Sequence, residues 1–410
     1  MKILFLDAYF NPESTPFTYL ENGIIQALID AGHTINVICP IPTRGVSKEI
    51  AEKYKTIKSE LMYGDKVHVC RFWAPQENRN PMIRAFRYFW CNIREYMIGR
   101  KYRDVDLIFA ASTPPTQGLL AGKLAKKLKC PFVYSLQDIF PDSLVHTGLT
   151  KENSLFWKIG HFVEKKTYAG ATKVVVISED FKNNLIEKDI TEEKICVIRN
   201  WADTENIAEV ARTDNSIFDT YGLDRSKFYV CYSGNIGHTQ NMDMLLEVAK
   251  ELSDNPEIGF VLIGGGAAKA HVEGCVQAEN IRNITMLPFQ PYEKISEVFS
   301  LGDCGLIISK SGVGNNSVPS KTWGIMSAER PVLASFDKGY ELDRVITEAD
   351  CGVCVQADDK DALKAAIIEL YEKRGELAVL GKNGRRYIID NLTREVGASK
   401  WVEVIERMGG

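Results

Sequence analysis

Three turns in the second half of the chain put small residues where backbone could approach a charged ligand. Tyr232-Ser233-Gly234-Asn235-Ile236-Gly237-His238 follows an apolar run and precedes a helical pattern over 242–252. Glycines there allow amide N–H groups at a helix start to face an anion. Gly264-Gly265-Gly266, after Phe260-Val261-Leu262-Ile263, repeats the arrangement. A tight turn needed only for packing explains either of them as well. The 309–320 stretch is more particular, with twelve residues of mainly small and polar type ending in Val318-Pro319-Ser320-Lys321, ahead of a helix predicted over 322–328. Pro in the first turn, a hydroxyl beside it and a cation at the helix start suit a diphosphate. Three such loops on one domain favour a nucleotide diphosphate. In the first half, Gln137-Asp138-Ile139-Phe140-Pro141-Asp142 closes a buried strand with two carboxylates. Acids at that place could orient or deprotonate an acceptor hydroxyl. For Asp142, capping of the following helix is the alternative.

The elements that must position these loops alternate between strand-like and helical runs. Strands are predicted at 3–6, 34–39, 107–110, 132–136 and 173–177, and again at 228–232, 260–263, 284–287, 305–308 and 331–334. Helices such as 19–31 and 242–252 lie between them. That alternation predicts an α/β chain with parallel sheets covered on both faces, in two Rossmann-like domains whose loops face across a cleft. A length of 410 residues fits two domains. We assign 1–200 to the first, 201–390 to the second, and 391–410 to a C-terminal helix that packs back on the first, with Val396, Trp401, Val404 and Ile405 at helical spacing. No GxGxxG follows the first strand and no GxxxxGK[ST] occurs, which argues against a dinucleotide or a P-loop. The six His show neither HExxH nor pairing with Cys at ligand spacing, so a metal site has no support. Cys351 and Cys354 form a CxxC, but they continue into Val355 and read as a buried strand rather than a redox pair. The scattered cysteines fit a reducing cytoplasm. The opening Met1 to Asp7 reads as a strand, not a signal peptide.

A net charge of -4 gives no global reason to bind nucleic acid. Between 79 and 103, however, seven basic residues stand against Glu95 alone. Ile83, Phe86, Trp90, Ile93 and Met97 fall on one helical face bordered by Arg84, Arg87, Arg94 and Lys101. Such a stripe either lies on an anionic membrane surface or faces the core with a basic rim, and periodicity alone leaves both open.

Several motifs together carry a resemblance. Asn11-Pro12-Glu13, Ala31-Gly32-His33, Gln137 to Asp142, Val174-Val175-Val176-Ile177-Ser178, Ile198-Arg199-Asn200-Trp201-Ala202-Asp203, Tyr232 to Gly237, and Pro319-Ser320-Lys321 through Arg330-Pro331-Val332 occur in the order and spacing of retaining glycosyltransferases of family 4. Within it, the chain resembles the bacterial branch that adds an amino sugar such as N-acetyl-fucosamine in O-antigen, capsule or colanic acid assembly. The resemblance implies the two-domain GT-B fold, no metal or other cofactor, and transfer from a UDP-sugar co-substrate. It assigns the donor diphosphate to Gly234, Asn235, Pro319, Ser320 and Lys321, with Gly264 nearby and His238 assisting. The base falls to the backbone at Phe289 and Gln290. It gives Asp138 and Lys321 the catalytic roles and places Glu13, Gln137 and Asp142 at the acceptor. A polyprenyl-diphosphate-linked acceptor would bring the protein to the inner face of the cytoplasmic membrane as a peripheral protein, through Arg84, Arg87, Trp90 and Arg94. The chain departs from the family pattern where a pair of Glu would fall at Asn316 and Gly324. Glu341 is the replacement for the carboxylate that holds the ribose. The usual diphosphate Arg and Lys after Gly234 are also missing, and Ser14-Thr15 stands where the first loop commonly has Gly-Gly. A sugar-nucleotide epimerase of the same fold and a catalytically weak scaffold of a polysaccharide assembly complex are the alternatives.

Overall fold

A computed structural model describes all residues except 14, 16, 78, 79, 143, 144, 146–149 and 410, and the side chain of Pro81. Ser14, Arg79 and His146 therefore lie outside the described residues. The chain divides into two compact units, Met1–Arg199 with Glu395–Gly410, and Asn200–Arg394.

The first unit is built on an eight-stranded sheet. Its strands are β1 (Lys2–Leu6), β2 (Thr34–Pro40), β3 (Ser59–Met62), β4 (Val67–Phe72), β5 (Leu107–Ala111), β6 (Phe132–Leu136), β7 (Lys173–Val176) and β8 (Ile195–Val197), in the order β3-β4-β2-β1-β5-β6-β7-β8. Only β3 runs antiparallel to its neighbour. Central strands such as KILFL and LIFAA are apolar on consecutive residues because helices cover both faces. The order reverses between β1 and β5, and ligands of open α/β sheets bind outside the carboxyl ends at such a reversal.

The second unit carries β9 (Phe228–Asn235), β10 (Ile258–Gly265), β11 (Ile284–Leu287), β12 (Cys304–Ile308), β13 (Val332–Phe336) and β14 (Gly352–Gln356), in the order β11-β10-β9-β12-β13-β14, all parallel. Here the reversal falls between β9 and β12, the strands that lead into the Gly234 turn and the 309–320 loop. Cys351 and Cys354 flank and join β14 as separate thiols, and burial pushes both up to about 12. Protonated thiols are poor nucleophiles, so the pair is structural.

The helix Arg394–Glu406 belongs to the first unit from Glu395 on. Its Trp401 is buried with its ring 5.5 Å from that of Phe109, which stacks on Phe5 at 4.3 Å. The expected limits of 200 and 390 move to Arg199 and Arg394, because Tyr387, Ile388 and Leu392 pack into the core of the second unit with Ala202. Trp401→Ala is expected to destabilise the first unit by about 3–5 kcal/mol, the cost of a large core cavity. Denaturant unfolding followed with a probe in the first unit checks this, and a loss below about 1 kcal/mol would contradict the packing.

Candidate functional site

In the second unit the β9 and β12 loops are tied to each other by main chain and by Asp358, and a second aspartate, Asp337, braces the β12 loop. The Lys310 amide donates to the Thr239 carbonyl at 2.8 Å. Asp358 accepts from the Asn241 side chain at 2.7 Å, and from the Ser311 amide and hydroxyl at 3.0 and 2.7 Å. Asp337, just past β13, accepts from the amides of Gly312, Val313 and Gly314 at 2.8, 2.9 and 2.9 Å. Those three donors, which the small residues of the loop had offered to a ligand, are thus taken by the chain's own carboxylate. The 309–320 loop is a braced platform, and its anion-binding capacity lies at its end.

At that end stands Lys321, the first residue of the helix Lys321–Ser327. Its Nζ sits 3.8 Å from the centroid of the Tyr232 ring. A Cβ placed on Gly234 would come within 3.3 Å of the same nitrogen. Burial pulls the ammonium down to about 8, and among the described residues no carboxylate pairs with it. A cation that has lost part of its hydration and has no counter-ion is prepared for an external anion. Gly234, with φ +133°, keeps the approach to Lys321 open. Asn235 and His238 are exposed in the same turn, Ser320 is exposed beside the lysine, and Pro319 is half-buried.

The other donor-side residues divide. Gly264 has a packing reason, since a Cβ there would lie 1.9 Å from the Gly234 carbonyl oxygen. Phe289 is exposed with its ring against Gly265, while the Gln290 amide is held by the Tyr221 hydroxyl and the Pro288 carbonyl, both at 2.9 Å. Glu341 is buried at the start of the helix Glu341–Ala349 and pairs with Arg344 at 3.1 Å.

In the first unit Asp138 is exposed at the carboxyl end of β6. Gln137 is anchored there, its amide N–H donating to Ser112 Oγ at 3.0 Å and its side chain to Ser135 Oγ at 3.1 Å. Two of the carboxylates expected at the acceptor are engaged by the chain's own groups. Glu13 is 1% exposed, and its carboxylate accepts from the amides of Thr43, Arg44 and Phe10 at 2.6, 2.8 and 3.3 Å. It clamps the loop after β1 to the loop after β2, with both carboxylate oxygens engaged. Asp142 is bound into an ion-pair cluster with Lys188 at 2.7 Å and His161 at 3.6 Å, which Glu164 shares. That cluster fixes the position of its loop.

The basic helix, Pro81–Gly99, is turned inside out. Its inward stripe is Arg87, Cys91 and Glu95, each at most 1% exposed. Arg87 donates to the Pro75 carbonyl and lies 5.7 Å from the Tyr9 ring, and Glu95 accepts from Gln117 at 2.8 Å. Arg87 is therefore a buried support under the first loop, not a membrane contact. Its outward stripe includes Met82, Phe86, Phe89 and Ile93. So the apolar face does not meet the core. Of the expected surface cations, Arg84 is exposed and Arg94 half-buried; Trp90 is half-buried, donating to the Trp73 carbonyl at 2.9 Å. Asp337, Asp358 and the burial of Arg87 were missed by sequence reasoning. An Asp just past a strand was the one available signal, for Asp337.

Comparison with known proteins places this geometry. Residues 23–206 match the model of glycosyltransferase family 4, and residues 214–387 that of glycosyl transferases group 1. The chain is 25% identical to WcaI of Escherichia coli, named as a colanic acid biosynthesis glycosyl transferase, over 90% of this chain and 91% of that one. It is 24% identical to the glycosyltransferase WbjE of Pseudomonas aeruginosa over 82% and 83% of the two chains. HepE of Anabaena, solved in complex with UDP, superposes with a TM-score of 0.71 at 16% identity over 99% of this chain and all of that one. With one match in each sheet unit and the fold shared over its length, the chain is a glycosyltransferase of the GT-B fold, matching family 4 over its first unit and group 1 over its second.

Proposed function

We propose that the protein moves a sugar, with retention at the anomeric carbon, from a UDP-sugar to a lipid-linked saccharide during assembly of a cell-surface polysaccharide. The observation that carries this reading is the unpaired, partly desolvated ammonium of Lys321 against Tyr232 and Gly234. As the glycosidic bond breaks, negative charge grows on the departing diphosphate, and a cation already in place stabilises that charge without a metal ion. Asn235 and Ser320 add donors, with His238 in the turn that carries Asn235. Phe289 and Gln290 flank the base, and Glu341, fixed by Arg344, holds the ribose. Asp138 takes a hydrogen bond from the acceptor hydroxyl, with Gln137 beside it. UDP as the nucleotide is supported by the complex of HepE, and the polysaccharide by the name of WcaI. The transferred sugar on this reading is an N-acetyl amino-deoxy sugar.

A lipid-linked acceptor places the protein on the inner face of the cytoplasmic membrane as a peripheral protein. The outward apolar stripe of Pro81–Gly99, next to Arg84, supports that placement. Among the described residues no helix is long and apolar enough to cross a membrane. The test is release of free UDP from a panel of UDP-sugars given a polyprenyl-diphosphate saccharide, with EDTA present. One donor is expected to release UDP. A panel that releases none, with or without magnesium, overturns the reading in favour of a scaffold, and release only with magnesium overturns the metal-independent step.

A further inference from the structure

Pro81–Gly99 is not the one helix of the first unit with an apolar exterior. The helix Leu155–Gly170 turns Gly160, Glu164, Thr167 and Tyr168 inward. Its outward face carries Leu155, Phe156, Ile159 and Phe162, which are 76%, 53%, 53% and 59% exposed. Four large apolar side chains at helical spacing facing water are costly for a protein that stays in water, by about 25 cal/mol for each Å² left exposed.

The helix Gln117–Leu128 lies between these two and packs against both. It contains no acid, and Lys123, Lys126 and Lys127 are exposed. On Leu155–Gly170 the exposed charges are Lys158, Lys165 and Lys166, and on Pro81–Gly99 Arg84. The two carboxylates of the three helices, Glu95 and Glu164, are both buried. Every exposed charge on these three helices is therefore positive, in a chain of net charge -4. Segregation of this kind fits an anionic partner. It opposes a second copy, which would bring like charges together.

The direction of the helices places the apolar groups. Each runs back from the carboxyl edge of the parallel sheet, so Phe86 and Phe89 on one helix, and Phe156 and Ile159 on the other, lie toward that edge. The same edge bears Asp138. The link to its loop is direct: the rings of Phe140 and Phe156 meet edge to face at 6.2 Å, and a Cβ on Gly160 would lie 2.8 Å from Pro141.

We propose that these three helices form a single bilayer-binding face, in which Leu155–Gly170 is a second apolar insertion seated beside the Asp138 loop, and that the partner is an anionic phospholipid bilayer. This rests on the reading of a membrane-borne acceptor given above. Two apolar insertions separated by a basic helix fix the orientation of the unit on a surface, which one insertion cannot do.

Co-sedimentation of the full chain with vesicles tests it. At low salt the wild type is expected to bind vesicles containing phosphatidylglycerol and not those of phosphatidylcholine alone. Leu155→Ser/Phe162→Ser and Lys165→Glu/Lys166→Glu are each expected to lower the bound fraction about tenfold, with melting temperature and UDP affinity unchanged. Wild-type-like binding by the Leu155/Phe162 variant, alongside loss in a Phe86→Ser/Phe89→Ser variant, overturns the second insertion. So does a wild-type dimer that the Leu155/Phe162 variant converts to monomer, or a wild type that binds neither vesicle. UDP release with a detergent-solubilised acceptor stands or falls separately, so failure here is distinguishable from failure of the transferase mechanism.

Discussion

Lys321→Ala is expected to reduce kcat/KM for the UDP-sugar by roughly a hundred- to a thousandfold, the range seen when one preorganised donor to developing charge is removed. Little loss of stability should accompany it. The ammonium is half-desolvated and without a carboxylate partner, so its removal relieves a cost in the unliganded fold while removing the charge that holds the diphosphate. The same group makes binding depend on pH. Burial lowers Lys321 to about 8, and a bound diphosphate would raise it again. Below that pH the lysine is already protonated and the affinity for UDP should be flat. Above it, binding takes up a proton, and the dissociation constant should rise by up to about tenfold per pH unit until the liganded group also titrates. The unfolded chain holds its proton up to about 10.5, so the unliganded fold gains stability with rising pH over the interval in which UDP affinity falls. Calorimetric titration of UDP across this range, with wild type and Lys321→Ala, checks both. A pH slope that survives in the variant would assign it elsewhere.

Gly264→Ala should be the most damaging single-methyl change in the second unit. Gly264 pairs with Gly234 between β10 and β9, and its φ is +151°, a region that L side chains rarely adopt. The new Cβ would meet the Gly234 carbonyl oxygen at 1.9 Å and its carbon at 3.0 Å. Both obstacles are backbone, so relief requires the strands to separate at the point where Gly234 passes Lys321. Overpacking alone costs about 1–3 kcal/mol, and the strained backbone adds to it. We expect a total beyond about 3 kcal/mol and loss of UDP binding. Gly274→Ala is the control: it lies exposed in the helix Lys269–Ala278 with nothing within 4 Å of its Cβ, and should stabilise by about 0.5–1 kcal/mol. Thermal unfolding of both variants checks the contrast. A Gly264→Ala protein that melts with the wild type would contradict it.

The sheets were legible in the sequence because buried parallel strands such as LIFAA read as unbroken apolar runs. The edge strand β3 and its neighbour β4 were not, since SELM and VHVCRF mix polar and apolar residues as half-covered strands do. Lys321 could be found from its place after Pro319 and Ser320. What could not be read was how the polar groups are shared out. Glycine-rich spacing announces available amides, but whether a ligand or Asp337 takes them depends on a strand that arrives later in the chain. In the same way, a helix with cations and aromatics declares two faces without declaring which is inside. On Pro81–Gly99 the interior received Arg87 and Glu95, where the Pro75 carbonyl and the Gln117 side chain each engage one of their polar atoms. Glu13 was hidden for the same reason, its three amide donors being spread over two loops.

The return of Arg394–Glu406 to the first unit also bears on the order of assembly. Contact between Phe109 and Trp401 closes a loop that contains the whole of Asn200–Arg394, which is entropically expensive while that segment is unfolded. Within the second unit, however, the two ends are fastened together. The Ala202 amide donates to the Leu392 carbonyl at 2.9 Å, and Arg394 pairs with Glu205 at 2.7 Å. Once that unit has folded, its entry and exit are neighbours, and the effective loop shrinks from about 290 residues to about 100, a saving of about 1 kcal/mol in closure entropy. The insert thus works as a brace for its host: by joining its own ends, a folded second unit shortens the chain that the last contact of the first unit has to close.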